Sequence, residues 1–264
     1  ESDLNDPKLI MPRESGGYGL TAQWSDDYHH SLHVALTGET TGYYADFESL
    51  GALAKTATRG FFHDGTFSSF RGRAHGHPIE PTVPTWRLVT FAQDHDQIGN
   101  RARGDRLTES LGYEQLAIAA VLTLAGPFTP MLFMGEEYGE TRPFQFFCSF
   151  LDPGLIEAVR KGRQAEFAAL AFRWSGEIPD PQGVETFARA KLSWQWPAGS
   201  AQAGLRQLDR TLLAARKRWP PLRDSQATHA ALSAEEPSLL LLRRGESPQL
   251  LAYANLSGQP VRLP

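Results

Sequence analysis

The sequence has a single cysteine, no excess of basic residues and no long apolar run. Because Cys148 has no second cysteine to pair with, an internal disulfide is excluded. Lysine and arginine total 26 against 30 aspartates and glutamates, a balance that argues against nucleic acid as a partner. No uninterrupted apolar stretch reaches the roughly 18 to 20 residues of a membrane span. These absences lead us to expect a globular, cytoplasmic protein with neither a nucleic-acid nor a membrane partner.

The amino terminus lacks two further features, an initiator methionine and the charged-then-apolar layout of a secretory signal. We therefore expect the sequence to be a fragment of a longer protein. Its 264 residues, 41% of them hydrophobic, are nevertheless enough to bury a sizeable core.

Two apolar runs, at 88–92 and 131–134, end abruptly in polar residues. Buried parallel strands show this pattern where their carboxyl ends open onto a site. Residues 20–24 are a third strand candidate, and 116–124 predict a helix that Gly126 and Pro127 end. Strand, helix and strand at this spacing predict βα units and a parallel sheet.

The stretch 61–84 is rich in glycine and proline and predicts a long excursion loop. We expect its polar side chains to face solvent: His63, Arg71, Arg73, His75 and His77.

Beyond the predicted sheet, the pattern changes twice along the chain. An amphipathic helix is predicted over 205–218, ended by Pro220 and Pro221. Residues 239–242 and 249–253 then predict two antiparallel strands. The predicted domains are a barrel segment over 1–200, a linking helix over 201–224 and a partial β domain over 225–264.

The strongest chemical signal is the run 94–100, where two carboxylates flank an imidazole directly after a predicted strand. Packing in a protein core is a poor explanation for three polar side chains in succession. Together with 1–7, 22–30, 42–47 and 133–139, this run resembles the signature regions of the α-amylase superfamily of glycoside hydrolases, in the form found in the maltooligosyltrehalose trehalohydrolase family.

The resemblance implies an α/β fold, namely the C-terminal half of a (β/α)8 TIM barrel followed by the start of a small β-sandwich. It implies hydrolysis of the α-1,4-glucosidic bond next to the terminal trehalose of maltooligosyltrehalose, by a retaining mechanism. It implies no cofactor and no metal. The expected partners are a maltooligosyltrehalose or α-glucan substrate and the missing N-terminal part of the same chain.

The resemblance also assigns roles to residues. Glu1 corresponds to the general acid/base and Asp96 to the third carboxylate, which grips sugar hydroxyls and favours the distorted ring. The family's nucleophile lies upstream of Glu1, so we expect the fragment alone to be inactive and poorly stable. The remaining assigned residues contact substrate: Asp26, Asp27, Tyr28, His29, His30, Asp94, His95, Gln97, Ile98 and Gly99.

Two positions depart from the family pattern. Asp94 stands where the superfamily usually has asparagine, so its carboxyl group either perturbs Asp96 or faces outward. Phe144 stands where tryptophan is common, which weakens a candidate stacking site for sugar.

Three other functions stay open at this point. A glucan branching enzyme would use the same carboxylates for transfer to a sugar hydroxyl. A metal-dependent hydrolase would use the histidines and aspartates of 26–33, although His33 fits a hydrogen-bonded helix residue better. A non-catalytic glucan-binding module would not depend on Glu1.

The remaining reactive side chains have structural explanations. Glu136 and Glu137 follow a predicted strand, and we expect them to brace neighbouring loops, for example through Arg142. Cys148 lies among phenylalanines and is expected to pack rather than react.

Overall fold

The computed structural model describes residues 1–168, 178–235 and 238–262. Residues 169–177, 236–237 and 263–264, which belong to the predicted barrel segment and the predicted β domain, lie outside the described residues. The chain divides into two compact units. Unit 1 comprises Glu1–Ala92, Tyr113–Leu132 and Gln207–Pro264, and unit 2 comprises Gln93–Gly112 and Phe133–Arg206. The domain bounds that the sequence predicts, at residues 200 and 224, stay predictions.

Helices and strands alternate irregularly along the described residues. The helices are α1 (Asp26–Thr37), α2 (Leu50–Arg59), α3 (His95–Gly99), α4 (Tyr113–Ala125), α5 (Pro153–Ala168), α6 (Val184–Arg189), α7 (Ala201–Arg218) and α8 (Pro220–Arg223). The strands are β1 (Gln23–Trp24), β2 (Phe67–Ser68), β3 (Arg73–Ala74), β4 (Leu88–Thr90), β5 (Thr129–Pro130), β6 (His229–Ala234), β7 (Leu239–Arg244) and β8 (Leu250–Asn255). Short 3-10 helices lie at Pro7–Leu9, Arg13–Ser15, Gly42–Phe47, Thr85–Arg87, Leu107–Glu109 and Glu136–Tyr138.

A parallel sheet of order β1-β4-β5 lies in unit 1, which confirms the predicted parallel pairing. Trp24 pairs with Val89, and Val89 pairs in turn with Thr129. The prediction of a strand over 131–134 is wrong by two residues, because the pairing with β4 falls on β5. Pro130 has no N–H to donate, which a strand with one described neighbour tolerates.

The second large sheet of unit 1 is antiparallel, with β7 between β6 and β8. The two strands predicted from the sequence are confirmed as β7 and β8, whereas β6 was not predicted. In the register of the sheet, Leu241 lies opposite both Leu232 and Tyr253. Helix α2 holds β6 through Thr58, whose hydroxyl accepts Ala231 N at 3.0 Å.

Alternation along β7 places Leu240, Leu242 and Arg244 on its buried face. The guanidinium of Arg244 is therefore carried into the interior, where one nitrogen donates to the Asp224 carbonyl at 3.2 Å. Burial, and then the nearby charge of Arg216, lower the pKa of Arg244 to about 10.

Two apolar clusters hold the helices of unit 1 to its parallel sheet and loops. Burial of each large side chain contributes about 1.5–3 kcal/mol. One cluster contains Ile10, Phe61, Leu88 and Phe128, and the other contains Val34, Tyr44, Phe47 and Ala52.

Arg216 on α7 closes the carboxyl end of α4. Its guanidinium donates to Leu124 O at 2.6 Å, to Gly126 O at 2.9 Å and to Phe128 O at 3.0 Å. The last carbonyls of a helix have no partner within the helix, and a cation there also complements the helix dipole. Arg216 thus fixes the turn that leads from α4 into β5.

Unit 2 packs around Tyr138, which is completely buried. Its ring lies 5.2 Å from that of Trp196, and its hydroxyl donates to Glu140 at 2.8 Å. No helix in the described part of the chain is both long and apolar enough to cross a membrane.

Candidate functional site

The first group of predicted site residues lies in α1, directly after strand β1. Ser25 caps the helix, since its hydroxyl accepts Tyr28 N at 3.3 Å and donates to Gly60 O at 2.7 Å. Asp26 and Asp27 consequently fall in the first turn, where the helix dipole favours carboxylates.

The five predicted substrate-contacting residues of α1 differ in exposure. Asp27, Tyr28 and His29 are buried, whereas Asp26 and His30 are half-buried. Tyr28 is 1% exposed, and burial raises the pKa of its phenol above the ordinary value. Its position is that of a core side chain.

Asp27 is the most heavily bonded carboxylate of unit 1. Its Oδ2 accepts Asn5 Nδ2 at 2.7 Å and the backbone N–H groups of Phe62 and His63, each at 2.8 Å. Its Oδ1 lies 4.0 Å from His30 Nδ1. Burial raises the pKa of Asp27, and the hydrogen bonds and the His63 charge offset this only in part.

His29 links α1 to the segment that follows β4. Its Nδ1 donates to Ala92 O at 2.7 Å, so its Nε2 is free to accept the Tyr44 hydroxyl at 3.0 Å. His33 stacks on the Tyr44 ring at 4.3 Å and bonds Glu39 at 2.8 Å. The prediction that His33 is a hydrogen-bonded helix histidine is confirmed for Nε2, whereas its buried Nδ1 has no hydrogen-bond partner among the described residues.

A metal centre in α1 does not fit this geometry. Within the described residues, no side chain of 26–33 belongs to a group of three or more candidate ligand atoms lying within 4.8 Å of one another. His29 instead faces the Ala92 carbonyl and the Tyr44 hydroxyl, and His33 faces the Tyr44 ring and the Glu39 carboxylate.

The second group of predicted site residues lies in unit 2, on α3. Asp94 is the N-cap of this helix and is 1% exposed, with its Oδ1 accepting Gln97 N at 2.7 Å. An outward-facing Asp94 is therefore a wrong expectation, because helix capping draws the side chain inward. Ile98 and Gly99 are also buried, and Gln97 is half-buried.

His95 and Asp96 are the exposed residues of α3. Asp96 Oδ1 accepts Asn100 Nδ2 at 2.8 Å, one helical turn further on. This bond fixes one carboxylate oxygen and leaves the other available to a hydroxyl group of a ligand. The Gly99 carbonyl, at the end of α3, accepts Arg163 Nη2 at 3.2 Å.

Arg106 and Gln93 support the chain around α3. Gln93 Oε1 accepts Leu107 N at 2.9 Å, and the buried Arg106 donates to Met134 O at 2.9 Å and Arg142 O at 2.8 Å. Burial lowers the pKa of Arg106, although nearby carboxylates oppose the shift.

Glu140 braces the loop after Phe133, a role that was predicted for Glu136 and Glu137 and that stays a prediction for those two. It accepts Tyr138 Oη at 2.8 Å, Arg142 N at 3.0 Å and the backbone N–H of Ser193. Burial acts to raise the pKa of Glu140, but these hydrogen bonds together hold it below its ordinary value. No local sequence pattern distinguishes Glu140 from its two neighbouring glutamates.

The single cysteine is half-buried in unit 2. Burial, and then the charge of Asp180, raise the pKa of the Cys148 thiol. A raised pKa keeps the thiol protonated, which agrees with the prediction that Cys148 packs rather than reacts.

The excursion loop of unit 1 is less solvated than its sequence predicts. Arg73 and His77 are exposed, but His63 and His75 are 3% and 9% exposed. The expectation is wrong for these two histidines, because they pack edge to face at 6.0 Å, His63 Nε2 lies 3.4 Å from Asp46 Oδ2, and His75 hydrogen-bonds to the backbone of Asp3.

Glu1 lies in unit 1 and Asp96 in unit 2, and both side chains are exposed. Their predicted convergence on one substrate stays a prediction.

The chain is similar over nearly its whole length to a solved structure, that of an α-amylase-type protein from Salmonella typhimurium. The two are 37% identical with a TM-score of 0.83, over 99% of this chain and 45% of that one. The chain therefore represents part of a protein of the α-amylase class, whose members are glycoside hydrolases with a TIM-barrel fold.

Curated relatives show which family within this class the chain belongs to. The chain is 57% identical to the malto-oligosyltrehalose trehalohydrolase of Rhizobium sp. strain M-11, over 84% of this chain and 37% of the relative. It is 51% identical to that of Brevibacterium helvolum, over 100% of this chain and 44% of the relative. It belongs to the malto-oligosyltrehalose trehalohydrolase family and spans less than half the length of these relatives. No protein-family model matches the chain.

Proposed function

We propose that the full-length protein containing this chain hydrolyses the α-1,4-glucosidic bond adjacent to the terminal trehalose of maltooligosyltrehalose and releases trehalose. The observation that carries this proposal is the 57% identity to a relative of that name. The exposed carboxylates of Glu1 and Asp96, which match the family's catalytic motifs, support it.

In the proposed mechanism Glu1 protonates the leaving glycosidic oxygen and then activates water for the second step. Asp96 grips sugar hydroxyls and favours the oxocarbenium-like ring, and His95 donates to a neighbouring hydroxyl. A retaining hydrolase needs a second, ionised carboxyl group about 5–5.5 Å from the acid. No residue of this chain is assigned that nucleophilic role.

The remaining predicted contacts divide by exposure into two proposed roles. Asp26, His30 and Gln97 are accessible enough to meet substrate directly. The buried residues hold the substrate-contacting segments in place, and the hydrogen bonds of Asp27, His29 and Asp94 support this role. The buried residues are Asp27, Tyr28, His29, Asp94, Ile98 and Gly99.

We also propose that the chain forms the C-terminal half of a (β/α)8 barrel followed by the start of a β-sandwich. Three adjacent parallel strands and a later three-stranded antiparallel sheet support this finer description.

Product analysis tests the activity. The full-length protein is incubated with maltooligosyltrehalose and, separately, with amylose, and the products are separated by chromatography. We expect free trehalose from the first substrate and unbranched glucan from the second. Branched product from amylose without trehalose release would favour a branching enzyme and contradict the proposal.

The variant Glu1→Gln separates an enzyme from a glucan-binding module. We expect Glu1→Gln to abolish trehalose release while the protein still binds maltooligosyltrehalose. Unchanged turnover would remove Glu1 from the mechanism.

A further inference from the structure

The segment that carries Glu1 is anchored by Asn5, a residue of the same signature run 1–7 to which the resemblance assigns no role. Glu1 itself is exposed, whereas Asn5, four positions later, is 2% exposed. A buried amide so close to an exposed carboxyl group can fix the backbone without covering that group.

The hydrogen bonds described for Asn5 reach two parts of unit 1, namely helix α1 and the excursion loop. Its Nδ2 donates to Asp27 Oδ2 in α1 at 2.7 Å and to the His63 carbonyl at 3.0 Å, and its own carbonyl accepts His77 N at 2.9 Å. The amide is thus held from the helix on one side and from the excursion loop on the other.

The backbone of Asn5 lies in the left-handed region, with a φ of 50°. Residues other than glycine seldom adopt this conformation, although asparagine does so more readily than most, and it persists where the surrounding contacts enforce it. The hydrogen bonds to Asp27 and His63 are the contacts that enforce it here. The direction in which the chain leaves Asn5 toward Glu1 is therefore set by these bonds.

The excursion loop adds two weaker tethers nearer to Glu1. Arg71 Nη2 lies 3.2 Å from both the carbonyl and a carboxylate oxygen of Asp3. His75 also hydrogen-bonds to the backbone of Asp3. The loop therefore follows the Glu1 segment over several residues.

We propose that Asn5 is a positioning residue, whose carboxamide, held by Asp27 and the His63 carbonyl, fixes the angle at which the Glu1 carboxyl group approaches the glycosidic oxygen. This inference rests on the proposed role of Glu1 as the acid/base. A carboxyl group displaced by about 1 Å can lose up to 100-fold in rate while substrate binding changes little.

Asn5→Gly tests the inference in the full-length protein. Glycine keeps the left-handed backbone accessible and removes both side-chain hydrogen bonds. We expect kcat for trehalose release to fall about 10- to 100-fold with KM within about twofold, at a temperature where circular dichroism shows a fully folded protein. A purely structural role would lower the thermal midpoint and leave kcat per folded molecule unchanged.

The matched control is Asn255→Gly, at the exposed last residue of β8. It also removes a carboxamide whose Nδ2 donates to a backbone carbonyl, that of Gln259 at 2.7 Å, and whose Oδ1 accepts Ser257 N at 3.0 Å. Its kcat should equal that of the unaltered protein. If Glu1→Gln is inactive but Asn5→Gly keeps full kcat, the positioning role is overturned and the proposed function stands. If Glu1→Gln itself stays active, both are overturned.

Asn5→Asp provides a second test should Asn5→Gly fail to fold. It keeps the size of the side chain but sets a carboxylate against Asp27 Oδ2. Two carboxyl groups this close share one proton at low pH, which restores a hydrogen bond between them. We expect its kcat relative to the unaltered protein to recover as the pH falls, and a ratio independent of pH would overturn the inference.

Discussion

At the scale of single residues, Gly76 is a backbone position next to Asn5 that has no room for a side chain. Its φ is +76°, and a Cβ atom there would lie 1.9 Å from the His63 carbonyl oxygen and 2.9 Å from Asn5 Cβ. Gly72 has a similar φ of +64° but open space around the same position. Substituting the two glycines therefore separates the steric cost of a side chain from the conformational cost of a left-handed backbone.

We expect Gly72→Ala to cost about 1–2 kcal/mol, since the left-handed conformation alone is penalised. Gly76→Ala should cost at least about 1–3 kcal/mol more, because the new methyl group must displace backbone. Urea unfolding of both variants measures the difference. Equal losses of stability would show that the packing around Asn5 is loose.

Asp27→Asn should make stability less sensitive to acid pH. The pKa of Asp27 is raised by burial, so its ionised form costs stability at neutral pH and that cost disappears as the pH falls through the raised value. Asparagine keeps an oxygen to accept Phe62 N and His63 N without a charge. We expect Asp27→Asn to be the more stable protein at pH 7, with the gap narrowing toward acid.

Unfolding midpoints measured between pH 4 and pH 7 check this dependence, with Glu48→Gln as an exposed control for the loss of one negative charge. A gap that widens on acidification would mean that ionised Asp27 stabilises the fold.

The candidate site residues could be predicted from the sequence where they lie close together in the chain. His95 and Asp96 lie in α3, the helix that comes next in the chain after strand β4, and Asp94 caps that helix. Asn5 was missed because its bond to Asp27 joins positions 22 apart. Glu140 was missed because its bond to Ser193 joins positions 53 apart, which no local pattern encodes.

At the scale of elements, Arg216 is the residue on which the end of α4 most depends. Arg216→Lys keeps the charge but loses the planar fork that reaches the carbonyls of Leu124, Gly126 and Phe128. We expect a loss of about 1–3 kcal/mol, since buried carbonyls are left without donors. Arg210→Lys, exposed on the same helix, should change stability by less than about 0.5 kcal/mol.

Equilibrium unfolding in urea compares the two lysine variants. A loss of the same size at both positions would contradict the capping role of Arg216.

The elements that were predicted are those with an apolar pattern of their own. Helix α4 extends from Tyr113 to Ala125 and ends before Gly126, as the sequence indicates. Helix α1 lacked that signal, because its buried face includes Asp27, His29 and His33, whose partners are polar.

Strand β6 was missed for a related reason. Three of its six residues are alanine, which has little intrinsic preference for strands, and its pairing is supplied by β7. Strand β5 shows the limit of apolar runs as boundary markers, since β4 pairs in register with Thr129 and Pro130, and the apolar run begins only at Met131, whose N–H donates to Thr90 O at 2.9 Å.

At the scale of the whole molecule, the sequence was sufficient to predict the family but not the geometry of the site. The motifs resemble the signature regions of the α-amylase class, and the curated relatives show the malto-oligosyltrehalose trehalohydrolase family. The chain nevertheless spans only 37% of the first relative's length. Local sequence contains no information on how residues far apart in the chain meet around a sugar, so the joint action of Glu1 and Asp96 stays a proposal.

A crystal structure of the full-length Glu1→Gln protein with bound maltooligosyltrehalose tests the joint action most directly. The account predicts that the residue 1 amide lies within hydrogen-bond distance of the glycosidic oxygen next to trehalose, while Asp96 bonds hydroxyls of the glucose unit on the other side of that bond. Substrate bound elsewhere, or contacted by only one of the two side chains, would contradict it.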